Sequence, residues 1–342
     1  MDTSKSPKVA LITGITGMVG SHLLDYLLAN TDWQIRGMIR WRSPLHNISS
    51  HINSVNEGGG RLNFEFADLN DPHSLMKLIE KCQPDYIFHL AAQSFPKTSF
   101  DIPLDTLNTN IIGTASLLEA VRISSPHSIV HVCSSSEVFG RVPKDRVPIA
   151  EDENFHPASP YAISKAGTDL LGRYYAEAYG INTQTTRMFT HTGPRRGDVF
   201  AESTFAKQIA LAERGEVPRK IYVGNLDSLR TIADVRDAVR AYHLLVTVNP
   251  IPGAYYNIGG SHTCTVGEVL QTLISLSTLK DFEIVVDPRR IRLIDADLQI
   301  PDIKKFTQHT GWKPEIEYSQ TLSDLLDYWR IEILKDDRKM IL

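Results

Sequence analysis

KVALITGITGMVGSHLLDYLLAN, residues 8–30, is the stretch that decides the fold. Lys8 to Thr13 is short and apolar, with the length of a strand covered on both faces. It runs directly into TGITGMVG, where Gly14, Gly17 and Gly20 stand three residues apart, and then into an apolar helix, SHLLDYLLAN. Glycines at such a junction let the backbone turn tightly and approach a pyrophosphate, whose charge is met by free N–H groups at the helix start. A glycine triplet alone is weak evidence; strand before and helix after make it a dinucleotide loop. Gly14, Thr16, Gly17, Met18, Val19 and Gly20 are therefore expected to cradle a dinucleotide.

The same alternation continues outward from this stretch. Gln34 to Ile39 reads as a second strand and ends in Arg40-Trp41-Arg42-Ser43, where a site preferring NAD would place an acidic residue for the ribose hydroxyls. Two guanidiniums and a serine suit a 2′-phosphate instead, so NADP is the expected cofactor, with Arg40, Arg42 and Ser43 as contacts. Pro44 to Gly60 turns polar and ends in three glycines, the composition of a mobile loop or a subunit contact. LNFEFADLND gives a third strand and PDYIFHLAAQS a fourth, whose end at Leu90, Ala91 and Ala92 would pass under the cofactor. His89, flanked by apolar residues, reads as a core histidine without chemistry. Strands alternating with helices define an α/β chain, a Rossmann-type doubly wound parallel sheet with a smaller mixed α/β substrate domain. The expected division is 1–187 plus 231–259 for the dinucleotide domain and 188–230 plus 260–342 for the substrate domain.

The chemistry gathers between Ile129 and Lys165, in IVHVCSSSEVFG and SPYAISK. Ile129 to Cys133 has the β-branched content of a buried strand, so the serines and Glu137 fall at its carboxyl end, which in an open α/β sheet is the ligand crevice. A helix starting at Pro160 puts Tyr161 and Lys165 four residues apart on one face. The ammonium favours the phenolate, and such a pair can move a proton off a sugar hydroxyl while a cofactor takes the hydride. The helix stops at Gly180. Further on, GPRRG carries Arg195 and Arg196, paired guanidiniums suited to diphosphate oxygens, and Lys207 and Arg230 are further candidate contacts of the nucleotide. As isolated surface residues each would be unremarkable.

Composition excludes several classes. The 342 residues are 42% hydrophobic with a formal charge of -4, which fits a globular protein and argues against nucleic acid as the main partner. Three scattered cysteines, Cys82, Cys133 and Cys264, suit neither a disulfide framework nor a zinc site. No run approaches the roughly 18 apolar residues of a membrane span, and no signal core precedes the first strand. A cytoplasmic protein is expected.

The GxxGxxG spacing resembles that of the extended short-chain dehydrogenase/reductase superfamily. TGITGMVGSHL, AAQSFPKTSFDIP, SSSEVFG, SPYAISK and GPRRG are similar to GDP-mannose 4,6-dehydratases. FAKQI, VGNLDSLRTIADVRD, RLIDADLQIPD and TGWKPEI resemble GDP-6-deoxy-4-ketomannose reductases at least as well. The resemblance implies that Asp68 and Leu69 contact the adenine, that Asn110 holds helix geometry or a water near the lysine, and that Arg292 reaches the nucleotide diphosphate. It implies a dehydratase in which Tyr161, assisted by Lys165, takes the sugar O4 proton. Ser135 would bond O4, Glu137 would remove the C5 proton, and Ser136 would help protonate the leaving hydroxyl.

Ser94 and Thr190 complete the expected sugar contacts, Thr190 standing where many members have asparagine. That departure, with Ser135 in place of the usual threonine and Phe139 in place of tyrosine, leaves a manno-heptose or another base open. A 4-ketosugar reductase needs only Tyr161, Lys165 and Ser135, and a 4-epimerase or a non-catalytic binder of NADP and nucleotide sugar are further alternatives. The helical stretches Thr106 to Arg122 and Pro160 to Tyr179 are the usual pairing elements of the superfamily, implying a homodimer or homotetramer.

Overall fold

The computed structural model describes residues 6–56, 60–291 and 296–339. Strand β1 (Val9–Thr13) feeds α1 (Met18–Asn30), followed by β2 (Gln34–Ile39), α2 (Ser49–Asn56), β3 (Leu62–Phe66), α3 (Pro72–Cys82) and β4 (Tyr86–His89). Then come α4 (Pro96–Asp101), α5 (Pro103–Leu107), α6 (Gly113–Ser124), β5 (Ile129–Cys133), α7 (Pro160–Tyr179) and β6 (Asn182–Met188). The remaining elements are β7 (His191–Thr192), α8 (Ala201–Glu213), β8 (Lys220–Val223), β9 (Leu229–Asp234), α9 (Val235–Thr247) and β10 (Tyr255–Ile258). The chain closes with β11 (His262–Thr265), α10 (Val266–Leu276), β12 (Glu283–Val286), β13 (Leu298–Gln299), α11 (Lys304–Thr310) and α12 (Tyr318–Lys339).

Seven strands form one parallel sheet in the order β10-β6-β5-β4-β1-β2-β3. Its strands are apolar because helices cover both faces: Leu23, Leu24 and Leu27 of α1 pack with Val239, Tyr242 and Leu245 of α9 on one side. Leu75 and Leu78 of α3, Leu117 and Val121 of α6 and Tyr175 of α7 cover the other. The direction of winding reverses between β1 and β4, which opens the crevice at their carboxyl ends. A second core of Phe205, Ile209, Leu270, Leu273, Leu322 and Leu325 joins α8, α10 and α12. Beside it stand a small sheet in the order β11-β9-β13, with β7 on β9, and the pair β12-β8. Strand β9, which the sequence reading divided at residue 230, lies whole in the small sheet. Among the described residues, no helix is long and apolar enough to cross a membrane.

One expectation about an element is corrected. Pro44 to Gly60 is not simply a loop, since it holds a 3-10 turn at His46–Ile48 and then α2, anchored by the fully buried Ile48. The stretch from Thr106 to Arg122 is helical throughout, as read, with a π-helical turn at Asn108–Ile112 between α5 and α6.

Strand β6 departs from the apolar pattern, with Thr183, Gln184, Thr186 and Arg187 all fully buried. Arg187 makes this tenable by a forked ion pair, Nε to Asp169 Oδ2 at 2.8 Å and Nη2 to Oδ1 at 3.1 Å. Its Nη1 donates to the Glu151 carbonyl, and the Phe155 and Tyr255 rings lie 4.7 and 4.5 Å from the guanidinium carbon. Asp169 sits one turn beyond Lys165 on α7, so this pair fixes α7 to β6. Asp169→Asn is expected to lower unfolding free energy by about 3–5 kcal/mol, because it leaves a guanidinium buried without its counter-charge. Urea titration checks this; a loss below about 1 kcal/mol would place the pair among weakly contributing surface bridges.

Candidate active site

The glycine loop is built for close approach. Gly14 takes φ +73°, and a Cβ there would lie 2.8 Å from the Ala91 nitrogen at the end of β4. A Cβ on Gly20 would meet the Gly14 carbonyl oxygen at 2.2 Å, so α1 starts directly against the turn. Thr13 Oγ1 accepts from the Leu90 and Ala91 amides, both at 3.1 Å, and donates to His89 Nδ1 at 3.0 Å. His89 Nε2 in turn donates to Thr114 Oγ1 at 2.9 Å, which donates to the Asn110 carbonyl at 2.6 Å. This chain assigns the Nε2–H tautomer, and burial holds His89 neutral by lowering its pKa to about 3. His89 is thus a core histidine, as read, yet it links the cofactor loop to Asn110.

Asn110 holds both sides of the crevice. Its Oδ1 accepts from the Gln93 amide at 2.8 Å, and its Nδ2 donates to the Gln93 carbonyl at 2.9 Å and to Ser164 Oγ at 2.8 Å. The π-helical turn leaves its carbonyl open to Thr114 and to Thr168 of α7. Asn110 therefore fixes helix geometry, the first of the two roles the resemblance implied.

Helix α7 begins where its sequence says it should. Ser159 caps it by accepting from the Ala162 amide at 3.0 Å, with Pro160 at the first position. This presents Tyr161 at the crevice, with Lys165 a turn deeper. Lys165 Nζ donates to the Cys133 carbonyl at 2.7 Å, and Ser134 Oγ donates to the Lys165 carbonyl at 3.1 Å, so α7 is tied to the end of β5. Ser135 caps the 3-10 turn Ser136–Phe139 by accepting from the Glu137 amide at 3.2 Å, and that turn aims Glu137 into the same cleft.

One electrostatic expectation is corrected. Burial pushes the Tyr161 phenol above its ordinary pKa and outweighs the lowering by a Ser135 hydrogen bond and by Arg196. Burial also pushes Lys165 below its ordinary value. Desolvation penalises the charged form of both groups, so the folded protein favours a protonated phenol and a more easily neutralised amine.

These residues line a cleft of about 600 Å³. Along its cofactor wall are Gly14, Thr16, Gly17, Met18, Val19, Gly20, Arg40, Leu90 and Ala92. Ser94, Ser135, Ser136, Glu137, Tyr161 and Lys165 face Thr190, Arg195, Arg196 and Arg230 across it. A second cavity of about 490 Å³ adjoins it, sharing Phe95, Phe200 and Val266 and adding Asn225, Ser228 and Arg290.

Several expected contacts lie elsewhere. Arg42 is exposed and does not line the cleft; Ser43 Oγ instead accepts from the Arg40 amide at 2.9 Å, closing a turn. Asp68 accepts from the Asn70 amide at 2.9 Å, and Leu69 is buried against Gly113, so neither lines the cleft. Ala91 acts through its amide on Thr13. Lys207 points away, bonded to Asp198 at 2.6 Å and 5.0 Å from the Trp329 ring centre. Arg195 and Arg196 reach the cleft already paired, with Asp25 at 2.7 Å and Glu202 at 3.3 Å. Arg230 donates to the Ala296 carbonyl. Arg292 lies outside the described residues.

Sequence reading missed other lining residues. Asn47 Nδ2 donates to the Thr16 carbonyl at 2.9 Å and braces the glycine loop from the far side, a contact no local pattern signals. Glu202 was also missed, although its place in the first turn of a helix after GPRRG was a usable hint.

A doubly wound sheet with a glycine cradle at its switch point and a Ser-Tyr-Lys set at the neighbouring strand end defines an extended short-chain dehydrogenase/reductase, a class that works on a bound dinucleotide. The cradle fits that group, since Gly14, Gly17 and Gly20 line the cleft at the start of α1, where Gly14 and Gly20 let the turn pack directly on the end of β4 and on the helix start. Within the class, the chain belongs to the GDP-mannose 4,6 dehydratase family, whose sequence model matches residues 11–325.

It is 32% identical to GDP-mannose 4,6 dehydratase 2 of Arabidopsis thaliana, over 98% of this chain and 90% of that protein. It is 30% identical to GDP-6-deoxy-D-mannose reductase of Pseudomonas aeruginosa, over 95% of this chain and 98% of the relative. Among solved structures, RMD from Pseudomonas aeruginosa complexed with NADPH superposes with a TM-score of 0.80 at 29% identity, covering 95% of this chain and 99% of that one. The UDP-glucose 4-epimerase of Thermotoga maritima with UDP-glucose gives a TM-score of 0.83 at 26% identity, covering 95% and 99%.

Proposed function

We propose that this protein is an NADP-dependent nucleotide-sugar 4,6-dehydratase acting on GDP-mannose or a closely related GDP-manno-sugar. The observation that carries the reading is Glu137, a carboxylate aimed by the Ser135-capped turn into the cleft that holds Tyr161. When bound, the dinucleotide accepts a hydride from the sugar C4 and returns it at C6. Tyr161 takes the O4 proton, with Ser135 bonding both O4 and the phenol and Lys165 supplying positive charge behind it. The C4 ketone so formed acidifies the proton at C5. Glu137 removes that proton, and Ser136 aids its delivery to the hydroxyl leaving C6 as water; as hydride returns to C6, C5 takes back a proton, balanced by the O4 proton that Tyr161 releases to solvent. The second cavity, walled by Phe95 and Phe200 and reaching Asn225 and Arg290, takes the nucleoside in this reading.

Arg40 is the residue proposed to read the cofactor's 2′-phosphate, since Arg42 stands outside the cleft. Arg40→Ala is expected to weaken NADPH binding roughly 10-fold or more and to leave NADH nearly unchanged, the loss of one charge-assisted contact. Arg42→Ala should do much less. Fluorescence titration of both dinucleotides checks this, and equal losses for NADPH and NADH would remove the 2′-phosphate role.

The function is tested by incubating the protein with GDP-mannose and catalytic NADP+. Loss of one water, with no net change in NADPH, is the expected result. NADPH consumption only when the 4-keto-6-deoxy sugar is supplied would assign the reductase instead, the activity of the Pseudomonas relative. Recovery of the C4 epimer would assign an epimerase.

A further inference from the structure

The pairing of Arg196 gives the cleft a recognition element that a diphosphate contact does not explain. Its Nε lies 3.3 Å from Glu202 Oε1, and the two side chains are only 14% and 12% exposed. Neither atom has hydrogen-bond geometry to the other or to any partner among the described residues, although both are buried. The guanidinium carbon lies 3.4 Å from the Phe200 ring centre, and Arg196 and Glu202 line the same cleft as Tyr161. The pair therefore stands close to the catalytic phenol.

A carboxylate at ion-pair distance neutralises the guanidinium and repels phosphate oxygens, so the pair is a poor diphosphate site. A donor fork beside an acceptor does match neighbouring hydroxyls, each of which offers a lone pair and a proton. Buried polar atoms left without hydrogen bonds are costly, and a ligand that satisfies them is favoured over one that does not. Resting on the function proposed above, O4 faces Ser135 and Tyr161, C6 faces Glu137, and C1 carries the diphosphate. The hydroxyls left on the hexose are those at C2 and C3.

We propose that Arg196 and Glu202 form a clamp for the C2 and C3 hydroxyls of the hexose, setting which sugar the cleft accepts. Arg196 donates to one hydroxyl oxygen, and Glu202 accepts the proton of its neighbour. The diphosphate is left to Arg230 and the amide ends of α8.

The test uses the NADP+-loaded Tyr161→Phe protein, in which turnover of bound sugar is slowed by about 10²–10⁴-fold, so that binding is read before conversion. Calorimetry compares GDP-mannose, UDP-glucose and dTDP-glucose with GDP, UDP and dTDP. Whichever nucleotide hexose binds best is expected to lose about tenfold or more of its advantage over its own nucleoside diphosphate in Glu202→Gln. The diphosphate alone should bind at least as well as before, since the carboxylate that repelled it is gone, and this also reports that the variant is folded. Arg196→Lys, which keeps the charge but removes the fork, should show the same selective loss. The clamp is overturned if these variants weaken diphosphate and nucleotide hexose equally, if neither changes the difference, or if the hexose adds no affinity in the parent. Best binding by a UDP or dTDP sugar would remove the GDP assignment while leaving the clamp standing on the same comparison.

Discussion

Tyr161→Phe is expected to lower turnover by about 10²–10⁴-fold, the usual contribution of a positioned acid–base group, while binding of dinucleotide and nucleotide sugar persists. The substitution removes one oxygen and nothing else from a capped helix start. Because burial favours the protonated phenol, ionisation of Tyr161 before it takes the O4 proton is the step its neighbours must assist, through the Ser135 hydroxyl, the nearby Arg196 and Lys165 one turn deeper. The pH profile adds a sign. A phenol with a raised pKa ionises more as pH rises, so the oxidative step should quicken toward alkaline pH in the parent and lose that limb in the variant. Retained turnover in Tyr161→Phe would remove the residue from the proton path.

Glu137→Gln is expected to be as damaging to the complete reaction, but at a different point. The amide keeps the shape and the place on the Ser135-capped turn, yet cannot take the C5 proton. C4 oxidation should then proceed without elimination, and reduced nicotinamide should accumulate on the enzyme in a single turnover while water release falls about 10²–10⁴-fold. Rapid mixing with absorbance detection, together with product mass, follows both halves. Undiminished elimination in Glu137→Gln would overturn the base assignment. A reductase would show little change in ketosugar reduction, which makes this substitution a second discriminator between the two relatives.

The parts of this site carried by local patterns were legible in the sequence. Gly14, Gly17 and Gly20 announced the turn, the apolar run before Ser134 announced a buried strand, and Ser159-Pro160 marked the helix that presents Tyr161. Residues whose pairing depends on how the chain folds back were not. Arg195 looked like half of a phosphate pair because Asp25, which meets it, lies far back on α1. Glu202 and Asp198 lie close in sequence to Arg196 and Lys207, but at spacings that mark no pairing by themselves. The sign of the Tyr161 shift depended on desolvation in the folded cleft, whereas the sequence showed only the neighbouring ammonium. Helix α2 was missed although Ile48, Ile52 and Val55 recur near helical spacing, because the polar residues and closing glycines were given more weight.

The two sides of the cleft are hung from different sheets. Ser135, Glu137, Tyr161 and Lys165 depend on β5 and α7 of the seven-stranded sheet, while Glu202 and Arg230 depend on α8 and β9 beyond it. On the roles proposed above, proton handling and sugar choice are inherited separately. Substitutions on the α8 and β9 side are then expected to alter which hydroxyls are welcomed without disturbing the register of phenol, amine and carboxylate. An engineer seeking a new deoxysugar from this scaffold would begin there, and leave the strand that carries the serines alone.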